Sequence, residues 1–399
     1  MGRATVEVAD IFRALGPRYR QQHRLTVHQH KLMRAIEQCR TASLGGHVEQ
    51  CSHCAHQRIS YNSCRNRHCP KCQNLARAQW LERRRAELLP VEYFHVVFTI
   101  PEALHPLALH NKKVLYNLLF QASAAALQSI AADPIHLGAH IGFFSILHTW
   151  GQNLTLHPHI HCVVTGGGLS PGGDRWIFTK PGFLLSVRVL SRRFRNLLVE
   201  ALLRAFTQNN LRLPHCLATW ASPEAFPRWL AGLRRKEWVV YAKPPFGGPQ
   251  HVLEYLGRYT HRVAISNRRL TAFNGEAVSF QYKDYRRQGP CAQSTMTIPG
   301  EEFIRRFLLH SLPPGFQRIR HYGILASSRK KDTLALARHL LQAAPHPIAP
   351  SREQIRDAMA ELLSPIRRCP ECGRGIMEVV EVLQPARGGL SPGAFDDSS

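Results

Sequence analysis

The chain has 399 residues, 44% of them hydrophobic, which is enough for a sizeable core spread over two or three domains. Its 52 Lys and Arg against 27 Asp and Glu give a net charge of +25, so the expected partner is a polyanion, nucleic acid before membrane surface. No run approaches the ~18–20 uninterrupted apolar residues of a membrane span, and the opening MGRATVEVADIFRAL lacks the basic-then-apolar form of a signal peptide. A cytoplasmic protein without a membrane partner is expected, and its 11 cysteines are read as reduced or metal-bound.

Residues 5 to 40 read as helical, with apolar positions at Val8, Ile11, Phe12 and Leu15, then Leu32, Met33 and Ile36. The next stretch, CSHCAHQRISYNSCRNRHCPKCQ, carries Cys51-x2-Cys54 and Cys69-x2-Cys72, the paired knuckles of a tetrahedral structural zinc site. Cys64 and His68 are surplus to one such site; they support the ligands, replace one, or help bind a second ion. Between Arg58 and Arg85 there are eight Lys or Arg and one acid, Glu82. A zinc ribbon followed by a basic helix suits DNA docking, with Arg65, Arg67 and Lys71 as candidate contacts, although a solvated helix face reads the same way.

Tyr93 to Ile100 is a β-branched and aromatic strand, Asn111 to Ala132 a long helix, and FFSILHTW a second strand. HTWGQNLTLHPHIHCVV then runs from His148 to Val164. On a strand His159 and His161 share one face while Ile160 packs behind, a pair able to hold one metal ion with other positions open. His148, eleven residues earlier, can return to that site on a neighbouring strand. With 23 histidines in the chain a chance His-x-His is cheap; the weight comes from its apolar setting, because buried histidines need partners. Gly166 to Gly168 are expected to end the strand in a turn. A hairpin at Gly172-Gly173 and Trp176, a basic helix from Arg188 to Phe206 and a strand from Trp238 to Pro244 follow. Interleaved strands and helices with short hairpins predict an α+β fold with a mainly antiparallel sheet.

The second constellation is HVLEYLGRYTHRVAISNRRL. Tyr255 and Tyr259 are four apart and so project from one face of a short helix, with Arg258 and Arg262 beside them and Arg268 and Arg269 just beyond. Such pairs are more often ordinary core or surface aromatics. A hairpin follows with Asn274-Gly275 at its turn. Phe303 to Lys331 holds seven Lys or Arg and no acid, another candidate phosphate-binding stretch. Cys369-x2-Cys372 is half a knuckle that either borrows distant ligands or binds no metal, and PARGGLSPGAFDDSS has the composition of a disordered tail. The expected divisions are 1–90, helical and zinc-binding; 91–300, catalytic; 301–368, basic and helical; and 369–399, knuckle and tail.

A histidine-held cation and a helix-borne tyrosine in a very basic protein suggest cleavage of a phosphodiester by a tyrosine hydroxyl. Such a step conserves the bond energy and needs no ATP, in keeping with the lack of a Walker-type glycine loop. Three segments carry a resemblance: SCRNRHCPKCQ at 63–73, HTWGQNLTLHPHIHCVVTGGGLS at 148–170 and EYLGRYTHRVAISNRRL at 254–270. Together they resemble the two-tyrosine HUH (His-hydrophobic-His) rolling-circle transposases of the IS91-like insertion-sequence group. The resemblance implies a bacterial, DNA-associated enzyme with a ferredoxin- or RRM-like HUH nuclease sheet, a magnesium or manganese ion and an N-terminal zinc domain. It would cleave and rejoin single-stranded DNA, at transposon ends and target, through 5′-phosphotyrosine intermediates. By motif, His159 and His161 are the HUH pair, Tyr255 and Tyr259 the nucleophiles, and His148 or Gln152 the third ligand. An HUH replication initiator or relaxase, or a non-catalytic zinc-dependent DNA-binding regulator, are the competing readings.

Overall fold

A computed structural model describes residues 6–72, 78, 80–81, 84–85, 87–243, 251–252, 257, 264–284, 287, 292–326, 328–342 and 367–386. The expected N-terminal helix is two, α1 (Val8–Gln22) and α2 (Val27–Gln38). The break falls where Thr26 caps α2 by accepting from the Gln29 amide. Val8, Ile11, Phe12, Leu15 and Tyr19 form the buried stripe of α1, at the helical spacing the sequence implied. A hairpin, β1 (Gly46–Cys51) and β2 (Gln57–Tyr61), follows.

The central region runs β3 (Tyr93–Thr99), α3 (His105–His110), α4 (Lys112–Ala132), β4 (His140–Trp150), β5 (Leu156–Leu169), β6 (Trp176–Phe178), α5 (Val187–Thr207), α6 (Ala225–Arg235) and β7 (Val240–Lys243). After it come β8 (Leu270–Phe273), β9 (Ala277–Lys283), β10 (Gln293–Pro299), α7 (Gly300–Leu309), β11 (Ile319–Gly323), α8 (Lys330–Leu340) and β12 (Met377–Leu383). The main sheet has the order β11-β4-β5-β3-β7, antiparallel throughout, with β6 paired to the end of β5. The fold is α+β, as expected. By length and composition α4 could cross a membrane, but most of it is buried against the sheet.

Alternation along the strands separates two cores. Phe94, Val96, Phe98, Leu147, Ile160 and Cys162 pack on one face beneath α4, α5 and α6. Tyr93, Phe144, Ile146 and Val163 face the other way, against Leu334 and Ala337 of α8 and against Val252. The basic helix α5 therefore lies across the sheet from His159 and His161.

Three expectations change. Gly166 to Gly168 do not end β5, which continues to Leu169. These glycines instead let neighbouring chains come close: a Cβ would stand 2.8 Å from the Glu92 carbonyl at Gly166 and 2.4 Å from the His140 carbonyl at Gly168. The N-terminal helices and the start of the 301–368 region share one core, since Phe12 meets Phe307 of α7 edge-on at 5.3 Å, with Phe280 and Phe303 in the same cluster. The 369–399 segment is not simply a knuckle and tail: β12 pairs with β1 from Gly46↔Leu383 to Cys51↔Met377. The rest of the expected tail, 387–399, lies outside the described residues.

At the end of α7, buried His310 pins the β4–β5 turn. Its Nε2–H donates to the Leu154 carbonyl at 3.0 Å, so Nδ1 accepts from the Thr149 hydroxyl at 3.2 Å. Burial pushes its pKa down to about 4. The unfolded chain, near 6.5, therefore takes up a proton that the fold refuses, and the stability held above pH ~6.5 is lost as pH falls through the folded value.

Two tests follow from this packing. Phe12→Ala should cost about 3–5 kcal/mol in urea unfolding, in a single transition that includes the 300–309 helix. His310→Gln keeps an N–H for the Leu154 carbonyl but cannot titrate, so its melting temperature should fall less between pH 7.5 and 5 than the wild type's.

Candidate active site

The register of β4 on β5 sets His148 directly opposite His159, and His161 follows two residues along the same face. Nitrogen atoms of the three rings all lie within 4.8 Å of one another. The ring centroids are 4.5 Å apart for His148 and His161, 4.7 Å for His159 and His161, and 5.5 Å for His148 and His159. Trp150 stacks on His148 at 4.6 Å and walls one side. Gln152 sits in the turn after β4, its backbone carbonyl accepting from Arg269.

Two hydrogen bonds orient the rings. Nδ1–H of His159 donates to the His157 carbonyl at 2.6 Å, which leaves the Nε2 lone pair as its donor to a cation. Nδ1 of His161 lies 2.8 Å from Nε2 of His95, a buried residue on β3. Burial, with the neighbouring His157, pushes His159 down to about 4; burial, Lys243 and His159 push His95 to about 3. Both rings are neutral at physiological pH, and neutral imidazole is the form that binds metal. Three nitrogens on rigid strands fit a divalent cation whose remaining positions can take oxygens.

The four cysteines expected to share one site do not come together. Cys69 and Cys72 join Cys39 and Cys64, with Cys72 Sγ 3.3 Å from Cys39 and 3.5 Å from Cys64. Cys51 and Cys54, at the tip of the β1–β2 hairpin, join Cys369 and Cys372 instead. The hairpin carries the first knuckle away from the 61–72 loop, so knuckles adjacent in sequence are separated in space. Cys64 is thus within a tetracysteine group. His68 is not; it is buried, accepts from the Leu312 amide at 3.4 Å, and is held well below its usual pKa by desolvation.

Residues 142–332 match a family model described as "Putative transposase", and residues 11–100 one described as "Transposase zinc-binding domain". The chain is 55% identical over 402 aligned positions to "Putative transposase y4qJ" of Sinorhizobium fredii, covering all of both proteins. It is 30% identical over 292 to the "Transposase for insertion sequence element IS801" of Pseudomonas savastanoi pv. phaseolicola, covering 72% of this chain and 68% of that one. The chain is an IS91-like transposase. No solved structure matches it. The transposase therefore has DNA as its partner, and its matched zinc-binding region contains the whole Cys39, Cys64, Cys69, Cys72 group.

Several cations assigned to DNA serve the transposase's own fold. The Arg67 guanidinium donates to the carbonyls of Phe316 at 2.7 Å, Pro313 at 2.7 Å and Leu312 at 3.3 Å. Lys71 pairs with Glu7, and Arg269 donates to the carbonyls of Gln281 at 2.7 Å and of Gln152. Within the 303–331 stretch, Arg305 and Arg306 pair with Glu302, and Lys330 pairs with Glu87 at 2.5 Å. Arg65 and Arg268 are exposed. Tyr255, Tyr259, Arg258 and Arg262 lie outside the described residues.

The sequence reading passed over His95 and Cys39. His95 is one histidine in an apolar strand, and only the β3–β5 pairing brings it to His161. Cys39 stands alone at the end of α2, with no knuckle spacing to mark it. Cys39→Ser in the purified transposase should lower the zinc content by one equivalent per chain; an unchanged content would remove Cys39 from the site.

Proposed function

We propose that the transposase is an HUH single-strand DNA endonuclease and strand transferase, with His148, His159 and His161 as ligands of a magnesium or manganese ion and Tyr255 and Tyr259 as nucleophiles. The observation that carries this reading is the convergence of three oriented imidazoles on one sheet face. Val252, three residues before Tyr255 in the sequence, is buried in the core with Phe144, Ile146 and Val163 on that same face of the sheet. Bound there, the divalent ion would polarise the scissile phosphate and offset the charge that develops on it.

The chain's own residues do the rest. The attacking tyrosine loses its hydroxyl proton, its oxygen forms a bond to phosphorus, and the bond from phosphorus to the 3′-oxygen breaks. The 3′-oxygen leaves as a hydroxyl after taking up a proton, and the 5′ end remains as a phosphotyrosine. Tyrosine's ordinary pKa near 10 calls for nearby positive charge; in the sequence Arg258 directly precedes Tyr259 and Arg262 follows it by three residues. A second tyrosine one helical turn away can open a second junction while the first holds its strand, as transfer from donor to target requires. His95 keeps His161 in its ligating orientation through the 2.8 Å hydrogen bond. Exposed Arg65 and Arg268 are the described candidates for backbone phosphate contacts. The enzyme would act in the bacterial cytoplasm on single-stranded transposon ends, in a rolling-circle scheme.

The test is adduct formation with a labelled single-stranded oligonucleotide and magnesium or manganese. His161→Ala should leave DNA binding nearly unchanged and reduce cleavage by more than the roughly 10–100-fold cost of losing an outer-shell partner, the range expected for His95→Ala. Tyr255→Phe with Tyr259→Phe should give no adduct, because both nucleophilic hydroxyls are removed while the rings are kept. Undiminished cleavage by His161→Ala in magnesium would discard the metal assignment.

A further inference from the structure

We propose that Cys51, Cys54, Cys369 and Cys372 hold a second structural zinc ion, and that this ion clasps the C-terminal segment onto the N-terminal hairpin. The matched zinc-binding region ends at residue 100 and the matched transposase region at 332, so neither reaches Cys369.

The sulfur spacing has the scale of a zinc tetrathiolate. Cys54 Sγ lies 3.6 Å from Cys369 Sγ, and Cys51 Sγ lies 3.7 Å from Cys372 Sγ. A tetrahedron with Zn–S bonds of ~2.3 Å places its sulfurs ~3.8 Å apart, whereas a disulfide would bring them to ~2.05 Å.

The two half-sites repeat each other's backbone. The Ala55 amide donates to the Cys51 carbonyl at 3.2 Å, and the Gly373 amide to the Cys369 carbonyl at 3.0 Å. The residue after each second cysteine is left-handed, Ala55 at φ 57° and Gly373 at φ 64°. For alanine that conformation is unfavourable and is kept only where the surroundings impose it. Amide N–H groups also point at the sulfurs: His53 to Cys51 at 3.3 Å, and Gly375 to Cys372 at 3.5 Å. Such donors stabilise the thiolate form that zinc requires.

The halves are fitted to one another. Gly375 packs so tightly that a Cβ would fall 2.3 Å from Cys51 Sγ and 2.9 Å from the His53 amide. Ser52 and Ile376 bond across the junction, the Ser52 amide to the Ile376 carbonyl at 2.9 Å and the Ile376 amide to Ser52 Oγ at 3.0 Å. From there β12 runs along β1, so the ion sits at the mouth of the pairing that anchors residues 377–383.

The experiment is a zinc count joined to thiol mapping on the full chain, and it needs no cleavage activity. Wild type should carry two zinc equivalents. Cys369→Ser with Cys372→Ser should carry one, and so should Cys39→Ser with Cys64→Ser. One equivalent in wild type, unchanged by removing Cys369 and Cys372, overturns the proposal. Because the double variant could misfold and lose both ions, alkylation of the wild-type protein is followed by peptide mass spectrometry with and without a zinc chelator. Cys51, Cys54, Cys369 and Cys372 should be protected together and released together by the chelator. Gly375→Ala should speed labelling of all four at least tenfold. Full-rate alkylation of Cys369 and Cys372 while Cys51 and Cys54 stay protected would contradict the clasp.

Discussion

The register between β4 and β5 is the constraint on which the candidate active site depends. His148 and His159 are cross-strand partners, and His161 follows on the same face. A slip of one residue would turn His159 and His161 into the core beneath α4 and α5 and bring Ile160 to the face that His148 occupies. The register is held from several directions. Phe143, Leu147, Ile160 and Cys162 are buried on one side, the Gly166–Gly168 run accepts close neighbours at the far end of β5, and His310 ties down the turn at Leu154. The site lies on strands that are packed on both faces, β4 and β5 being buried along most of their length.

Charge tells a less direct story. A net +25 is consistent with a DNA partner, but it does not say which cations meet phosphate. Arg67 is held by three backbone carbonyls, Lys71 by Glu7, and Arg269 by the carbonyls of Gln152 and Gln281. Arg67 thereby ties the 61–72 loop to the 312–316 segment, Lys71 ties it to the residue before α1, and Arg269 ties the 264–284 region to the β4–β5 turn. Arg65 and Arg268 are exposed.

Local patterns carried most of the reading from sequence to fold. The apolar spacing of α1, the alternation in β4 and β5, the Asn274-Gly275 turn between β8 and β9, and the His-x-His pair are all set by residues near one another in the chain. What was missed depends on distant contacts. Cys51-x2-Cys54 and Cys69-x2-Cys72 looked like partners because they are neighbours in sequence, yet the β1–β2 hairpin parts them and β12 delivers Cys369 and Cys372 from the other end. His95 has no motif around it, and Cys39 stands by itself; each gains its place only when strands and loops pair across long separations. The tyrosine assignment rests on the sequence motif.

The most direct measurement is mass-spectrometric mapping of the covalent protein–DNA adduct. Arg258 lies between the two tyrosines, so trypsin separates Tyr255 and Tyr259 onto different peptides and identifies the one modified. The account predicts a nucleotide attached through its 5′-phosphate to Tyr255 or Tyr259, formed only with a divalent cation. Attachment at Tyr282 or Tyr285, or cleaved DNA with a free 5′ end and no bound protein, would contradict it.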